Sequence, residues 1–293
     1  MKSSNPPSKK PRARVKTKGK GKAKALAAGK PAARALKDTQ DTQENQDTSS
    51  DRINRYMARC GLCSRREADR WIEAGRVAVN GKIVRQPGVI IGPGDTLSVD
   101  GKPVSRQTSF TYMLYNKPTG QLCSRLDAKG RPLIYDKLDV APNVQSVGRL
   151  DMNTEGLLLL TDDGALARAL THPSARLPRE YRVRVAGQVS LETLQKIRQG
   201  GIDIGEGETS EPWEATVDSE TAGHTWLTIV INRGRNREVR RTLEAAGHPV
   251  RRLMRTAFGP IRMDETMPRG LWRPLTSGEV KQLRHFIKDD KHT

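Results

Sequence analysis

The stretch VGRLDMNTEGLLLLTDDG, residues 147–164, decides how the rest of the chain is read. Its four consecutive leucines, Leu157, Leu158, Leu159 and Leu160, form a short apolar run bounded by turn residues. Such a run reads as a strand buried on both faces. The segment DDGALARAL that follows reads as a helix capped by Asp162 or Asp163, because a carboxylate there can accept the free N–H groups of the first turn. Ahead of the leucines, Asp151 falls on a loop between two strands. A loop held on a rigid scaffold is where functional groups are placed. An aspartate two positions before Asn153 is equally at home in an Asx-turn, and the local pattern leaves both readings open.

The pattern continues on either side. FTYMLYNKP reads as a strand ended by Lys117-Pro118, and EYRVRVAGQV alternates as a strand. SLETLQKIRQGG reads as a helix with Ser190 at its N-cap, and HTWLTIVINRG as a strand. NREVRRTLEAAG is a helix with Val239, Leu243 and Ala246 on one face; VRRLMRTAFGPIRM returns as a strand, and a last helix runs over about 278–288. Strands outnumber helices and are joined mostly by hairpin-length turns. Residues 110–288 are therefore expected to form an α+β unit on a mixed or antiparallel sheet.

A smaller unit precedes it over residues 51–102. RINRYMARCG places Ile53, Tyr56, Met57 and Cys60 on one helical face, with Gly61 as the stop. In SRREADRWIEAG, Ser64 and Glu67 have capping-box spacing, Ala68, Trp71 and Ile72 make the apolar stripe, and Gly75 closes the helix. Asn80-Gly81 and Asp100-Gly101 each mark a tight hairpin. The order is helix, helix, small sheet. Arg65, Arg66 and Arg70 lie at the start of the second helix, where guanidinium groups suit phosphate oxygens, although a merely solvated basic face has the same composition.

The charge points to a polyanionic partner. The chain carries a formal +19 with a pI near 10.2. Residues 1–37 hold ten Lys and three Arg with no acid, residues 38–50 contribute −4, and residues 51–293 keep +10. The folded part is thus basic in its own right. Residues 1–50 read as a disordered basic arm and polar spacer, which would add salt-sensitive affinity for nucleic acid. No apolar run approaches the roughly 20 residues of a membrane-spanning helix. Cys60, Cys63 and Cys123 are an odd set that suits a reducing cytoplasm. Cys60-Gly-Leu-Cys63 has no second ligand pair, so no metal is expected. No glycine-rich phosphate loop or nucleotide fingerprint occurs, so no cofactor is expected either.

RINRYMARCGLCSRREADRWIEAGRVAVNGKIV resembles the S4-type RNA-binding domain over nearly its whole length. GRLDMNTEGLLLLTDDG, PREYRVRV and NRGRNREVRRTLEAAGHPVRRLMR, in that order, resemble the motifs of the ribosomal RNA pseudouridine synthases of the small- and large-subunit group. Together the resemblances cover residues 52–288. They imply an S4-type domain followed by a pseudouridine synthase catalytic domain, with ribosomal RNA as partner. REYRVRVAGQV and PRGLW look most like the branch acting on 23S rRNA or a large-subunit precursor, often called type B; the small-subunit branch acting on 16S rRNA is the alternative. A non-catalytic ribosome-assembly factor that kept the fold would be a third reading.

The resemblance also implies roles. Asp151 would be the nucleophile, attacking C6 of the uracil or C1′ of the sugar. Tyr181 would stack on the target base and serve the proton step, and Arg240 would pair with the Asp151 carboxylate and keep it ionised. Arg149 would fill or clamp the position left when the uridine leaves its stack. Leu253 would wall the uracil pocket. Lys117, Arg235 and Arg237 would contact phosphates, as would Arg65, Arg66 and Arg70. Glu238 stands where the motif usually has Gln, and its role stays open.

Overall fold

A computed structural model describes residues 50–105 and 109–289. The basic arm expected over residues 1–50 lies outside the described residues except for Ser50.

The N-terminal unit is built as β1 (Asp51–Arg52), α1 (Ile53–Arg59), α2 (Arg65–Glu73), β2 (Val77–Val79), β3 (Lys82–Val84), β4 (Ile90–Ile91), β5 (Leu97–Val99) and β6 (Lys102–Pro103). Ser64 caps α2 by accepting the Glu67 N–H at 3.3 Å. Asn80 and Gly81 have φ of 51° and 77°, and Asp100 and Gly101 have 50° and 74°. Both turns are thus left-handed at their two central residues, as a two-residue hairpin requires. Ile53, Met57, Ala68, Ile72, Val77 and Leu97 form the core. Ile83 is 65% exposed. The hairpin pairs it with Ala78, so it takes the opposite face from Val77.

The larger unit is a nine-stranded sheet flanked by helices. Its strands are β7 (Tyr112–Lys117), β8 (Gln145–Ser146), β9 (Glu155–Thr161), β10 (Arg179–Ala186), β11 (Glu214–Thr221), β12 (His224–Ile231), β13 (Val250–Phe258), β14 (Ile261–Arg262) and β15 (Trp272–Pro274). Its helices are α3 (Gly164–Thr171), α4 (Leu191–Gln199), α5 (Glu238–Ala245) and α6 (Ser277–Asp289). The order across the sheet is β11-β12-β10-β13-β9-β7-β15, with β14 beside β13 and β8 beside β9. Every pairing is antiparallel except β9 with β13, so the α+β class with a mixed sheet is as expected.

The four leucines explain why β9 is central. Leu158 and Leu160 pack with Leu194 and Ile197 of α4 and Val239 and Leu243 of α5. Leu157 and Leu159 face the other way, against Leu166 and Leu170 of α3 and Leu283 of α6. Each fully buried leucine is worth about 1.5–3 kcal/mol, so this one strand pins both layers. Asp163 caps α3 through the Leu166 N–H at 3.0 Å, while Asp162 instead accepts the Thr111 N–H at 2.7 Å and ties α3 to β7. The parallel junction depends on Gly156, whose φ is 103°. A Cβ there would run into the backbone carbonyl oxygen of Arg255 on β13. β11 and β15 were not evident from the pattern. β11 is mostly exposed and polar, and β15 has three residues, so neither shows a buried period.

Candidate active site

Asp151 lies on the loop between β8 and β9. Gly148 turns the chain with φ of 71°, Leu150 is buried as an anchor, and the Thr154 N–H donates to the backbone oxygen of Asp151 at 3.0 Å. The turn is therefore closed by the main chain. Its geometry leaves the carboxylate free of the Asx-turn role.

Three groups hold this loop from beneath. The Lys117 ammonium reaches the carbonyl oxygens of Pro118, Asp151, Met152 and Thr154 at 2.9–3.3 Å. Cys123 Sγ lies 3.4 Å from both the N and the O of Leu150. Arg240 on α5 donates to the Asn153 carbonyl at 2.7 Å and the Val250 carbonyl at 3.4 Å. Lys117 is 0% exposed, so the expected phosphate contact is corrected: the side chain is consumed by backbone carbonyls that would otherwise be buried without donors. Burial pushes its pKa down, while the neighbouring Cys123, Asp151 and Glu155 charges pull it up.

The cation nearest the Asp151 carboxylate also differs from expectation. Arg237, in a left-handed conformation with φ of 49° just ahead of α5, brings Nη1 to 3.9 Å from Asp151 Oδ2. Arg240 feels Asp151 electrostatically but spends its hydrogen bonds on the loop backbone. Its pKa is lowered first by burial and then by the Arg237 charge, with Asp151 pulling the other way. Arg235 is corrected too. Its guanidinium donates to Glu238 at 2.9 Å and to the Thr209 carbonyl at 2.7 Å, and its N–H donates to Glu238 at 3.0 Å. Glu238, almost fully buried, is thus the clasp of the loop before α5.

These elements enclose a cavity of about 310 Å³ lined by Asp151, Arg149, Tyr181, Leu253, Arg237 and Arg255, among others. Arg149 is exposed at its rim. Tyr181 on β10 and Leu253 on β13 are buried in its wall. So Asp151, Tyr181, Leu253, Arg149, Arg237 and Arg240 converge. Arg65, Arg66 and Arg70 all lie exposed on α2 of the N-terminal unit. The sequence reading missed Arg179 and Arg255, which also line the cavity. Arg255 was accessible in principle: it lies two residues beyond Leu253 on one strand and so shares its face. Burial lowers the Arg179 pKa most, and the like charge of Arg255 adds to that. Among the described residues no group of side chains has the make-up of a metal site, and no helix is long and apolar enough to cross a membrane.

Comparison with known proteins accounts for both units. Residues 111–245 match the RNA pseudouridylate synthase family and residues 51–97 the S4 domain. An uncharacterized RNA pseudouridine synthase of Aquifex aeolicus is 42% identical over 79% of this chain and 93% of its own length. Ribosomal large subunit pseudouridine synthase B of Escherichia coli O6:H1 is 40% identical over 82% of this chain and 84% of its own. A crystal structure of a pseudouridylate synthase superposes with a TM-score of 0.56 at 31% identity, covering 79% of this chain and 99% of that one.

Proposed function

The chain belongs to the RNA pseudouridine synthases, and from that premise we propose that it isomerises a uridine of large-subunit ribosomal RNA, 23S rRNA or its precursor, with Asp151 as the nucleophile. One observation carries the assignment. A carboxylate with its turn closed by backbone, 3.9 Å from a guanidinium, opens on a cavity walled by a tyrosine and a leucine. At about 310 Å³ the cavity is at the small end of ligand sites, which run to roughly 1,000 Å³, and suits one nucleotide rather than a paired stem.

The uridine therefore has to leave its stack, at a cost of a few kcal/mol, and Arg149 at the rim is placed to fill the gap. Asp151 then forms a bond through a carboxylate oxygen to C6 of the base or C1′ of the ribose. The C1′–N1 bond breaks, the base turns, C5 joins C1′, the bond to Asp151 breaks and returns its electron pair to the carboxylate, the C5 proton leaves and N1 gains one. Tyr181 lies against the base and serves the proton step; Leu253 keeps the opposite edge dry. Arg237 stands 3.9 Å from the carboxylate and helps to orient it. Arg240 and Lys117 act on the loop that carries the nucleophile. Arg65, Arg66 and Arg70, exposed on α2, dock structured RNA through phosphates. None of Cys60, Cys63 and Cys123 forms a disulfide, which fits a cytoplasmic setting. The units are read as 51–102 for docking and 110–288 for chemistry.

The test is a map of pseudouridines in both ribosomal RNAs from cells lacking the protein. One or very few large-subunit sites should vanish. A missing small-subunit site would overturn the substrate assignment, and an unchanged map would favour an assembly factor without catalysis.

A further inference from the structure

Arg255 is the one cavity residue whose charge the described fold leaves unanswered by a carboxylate although it is nearly fully buried. It is 2% exposed. Nε donates to the Leu157 carbonyl at 2.8 Å, and the guanidinium lies 4.8 Å from the Phe258 ring. Among the described residues it makes no ion pair, and Nη2 is enclosed without an acceptor. Nη1 has no hydrogen bond and is not among the enclosed atoms, and Arg255 lines the cavity. Contrast Glu155 next door, equally buried but paired with both Arg252 and Arg269. A buried cation is normally paired, and a buried donor without an acceptor carries its full desolvation penalty. This arrangement makes sense if the missing acceptor arrives with the substrate.

Register says which part of the substrate that is. Arg255 is the cross-strand partner of Tyr181, so the two side chains stand side by side on one face of the sheet. Gly156 fixes this position, because the close parallel approach of β9 sets the Arg255 backbone. A base lying against Tyr181 presents its edge to Arg255. Exposed Arg149 and half-exposed Arg237, by contrast, are the cavity cations that backbone phosphates would meet.

We propose that Arg255 is a further catalytic residue, whose guanidinium donates to a carbonyl oxygen of the flipped uracil and holds the negative charge that develops there. The inference rests on the uridine isomerase reading above. Its chemistry is the same on either route. If Asp151 displaces N1 from C1′, the C1′–N1 electron pair passes to the uracil and spreads over N1, O2 and O4. If Asp151 adds to C6, the C5–C6 π pair passes to C5 and through C4 to O4. A fixed donor in a water-poor site stabilises that charge without reorganising.

The experiment uses the full chain and an RNA carrying the mapped site, with the target as uridine, 2-thiouridine or 4-thiouridine. Sulfur accepts a hydrogen bond poorly but stabilises negative charge well. Arg255→Met should lower kcat about 100- to 1000-fold, as loss of one such donor does, with KM moving little. Arg255→Lys should recover part of the loss. The wild type should be slowed by sulfur at O2 or O4, and Arg255→Met should have lost that discrimination. If Arg255→Met does not fold, the thio-substrates with the wild type and with Arg255→Lys decide. A kcat unchanged in Arg255→Met, or thio-substrates turned over as fast as uridine by the wild type, would overturn the proposal. An inactive wild type would instead overturn the isomerase reading.

Discussion

The cations of α2 and those around Asp151 have the same chemistry and opposite settings. Arg65, Arg66 and Arg70 are exposed on a helix face. Around Asp151 the cations are graded by depth, from Lys117 at 0% and Arg255 at 2% to half-exposed Arg237 and exposed Arg149. Exposed guanidinium groups are screened by salt and can meet any phosphate. Buried ones cannot reach an RNA backbone, so their charge is spent on fixing the loop or on a group that enters the cavity. On the proposed reading, depth rather than residue type divides docking from chemistry.

The largest effect that can break this division belongs to Lys117. Lys117→Met removes the donor from four carbonyl oxygens and should destabilise the chain by at least about 2 kcal/mol, read from the denaturant midpoint. Activity should fall with the misplaced loop. Unchanged stability together with a shallower salt dependence of RNA binding would restore Lys117 as a phosphate contact.

At α2 the order reverses. Replacing Arg66 and Arg70 together by Gln should weaken RNA binding about tenfold and reduce the salt slope by about two, one for each phosphate no longer neutralised. Turnover of bound RNA should not change. A fall in kcat with binding intact would show that α2 does more than dock.

The smallest effect concerns an ion pair in the loop after β7, between exposed Arg131 and Asp127. The Arg131 guanidinium, followed by its backbone N–H, holds the Asp127 carboxyl down at about 2. A depressed carboxyl pKa contributes stability above the unfolded value near 3.9, which is lost as pH falls towards the folded one. Carbon-13 titration should find Asp127 near pH 2, and Arg131→Gln should return it towards the ordinary value. The neutral-pH midpoint should hardly move. A large loss there would mean that even surface cations set this fold.

Much of the molecule was legible because its signals are local. The leucine run, the caps Ser64, Asp163 and Ser190, and the Asn80-Gly81 and Asp100-Gly101 turns are written within a few residues of where they act. Asp151 is singled out only by the resemblance that also takes in the motifs of Tyr181 and Arg240, since its local pattern fits a turn aspartate as well. The part that was misread depends on burial and on register between distant strands. Lys117 and Arg235 look like any basic residue near a turn until carbonyls and Glu238 are seen around them. Arg255 gains its meaning from Tyr181, 74 positions earlier, across a strand pair. Polar edge strands such as β11 carry no period to detect.

The most direct measurement is pseudouridine formation by the purified chain on large-subunit ribosomal RNA, wild type against Asp151→Ala. The wild type should convert its site, and the variant should remain below about a thousandth of that rate, as loss of a nucleophile demands. Conversion by Asp151→Ala at a rate comparable to wild type would contradict the assignment of the nucleophile and the account built on it.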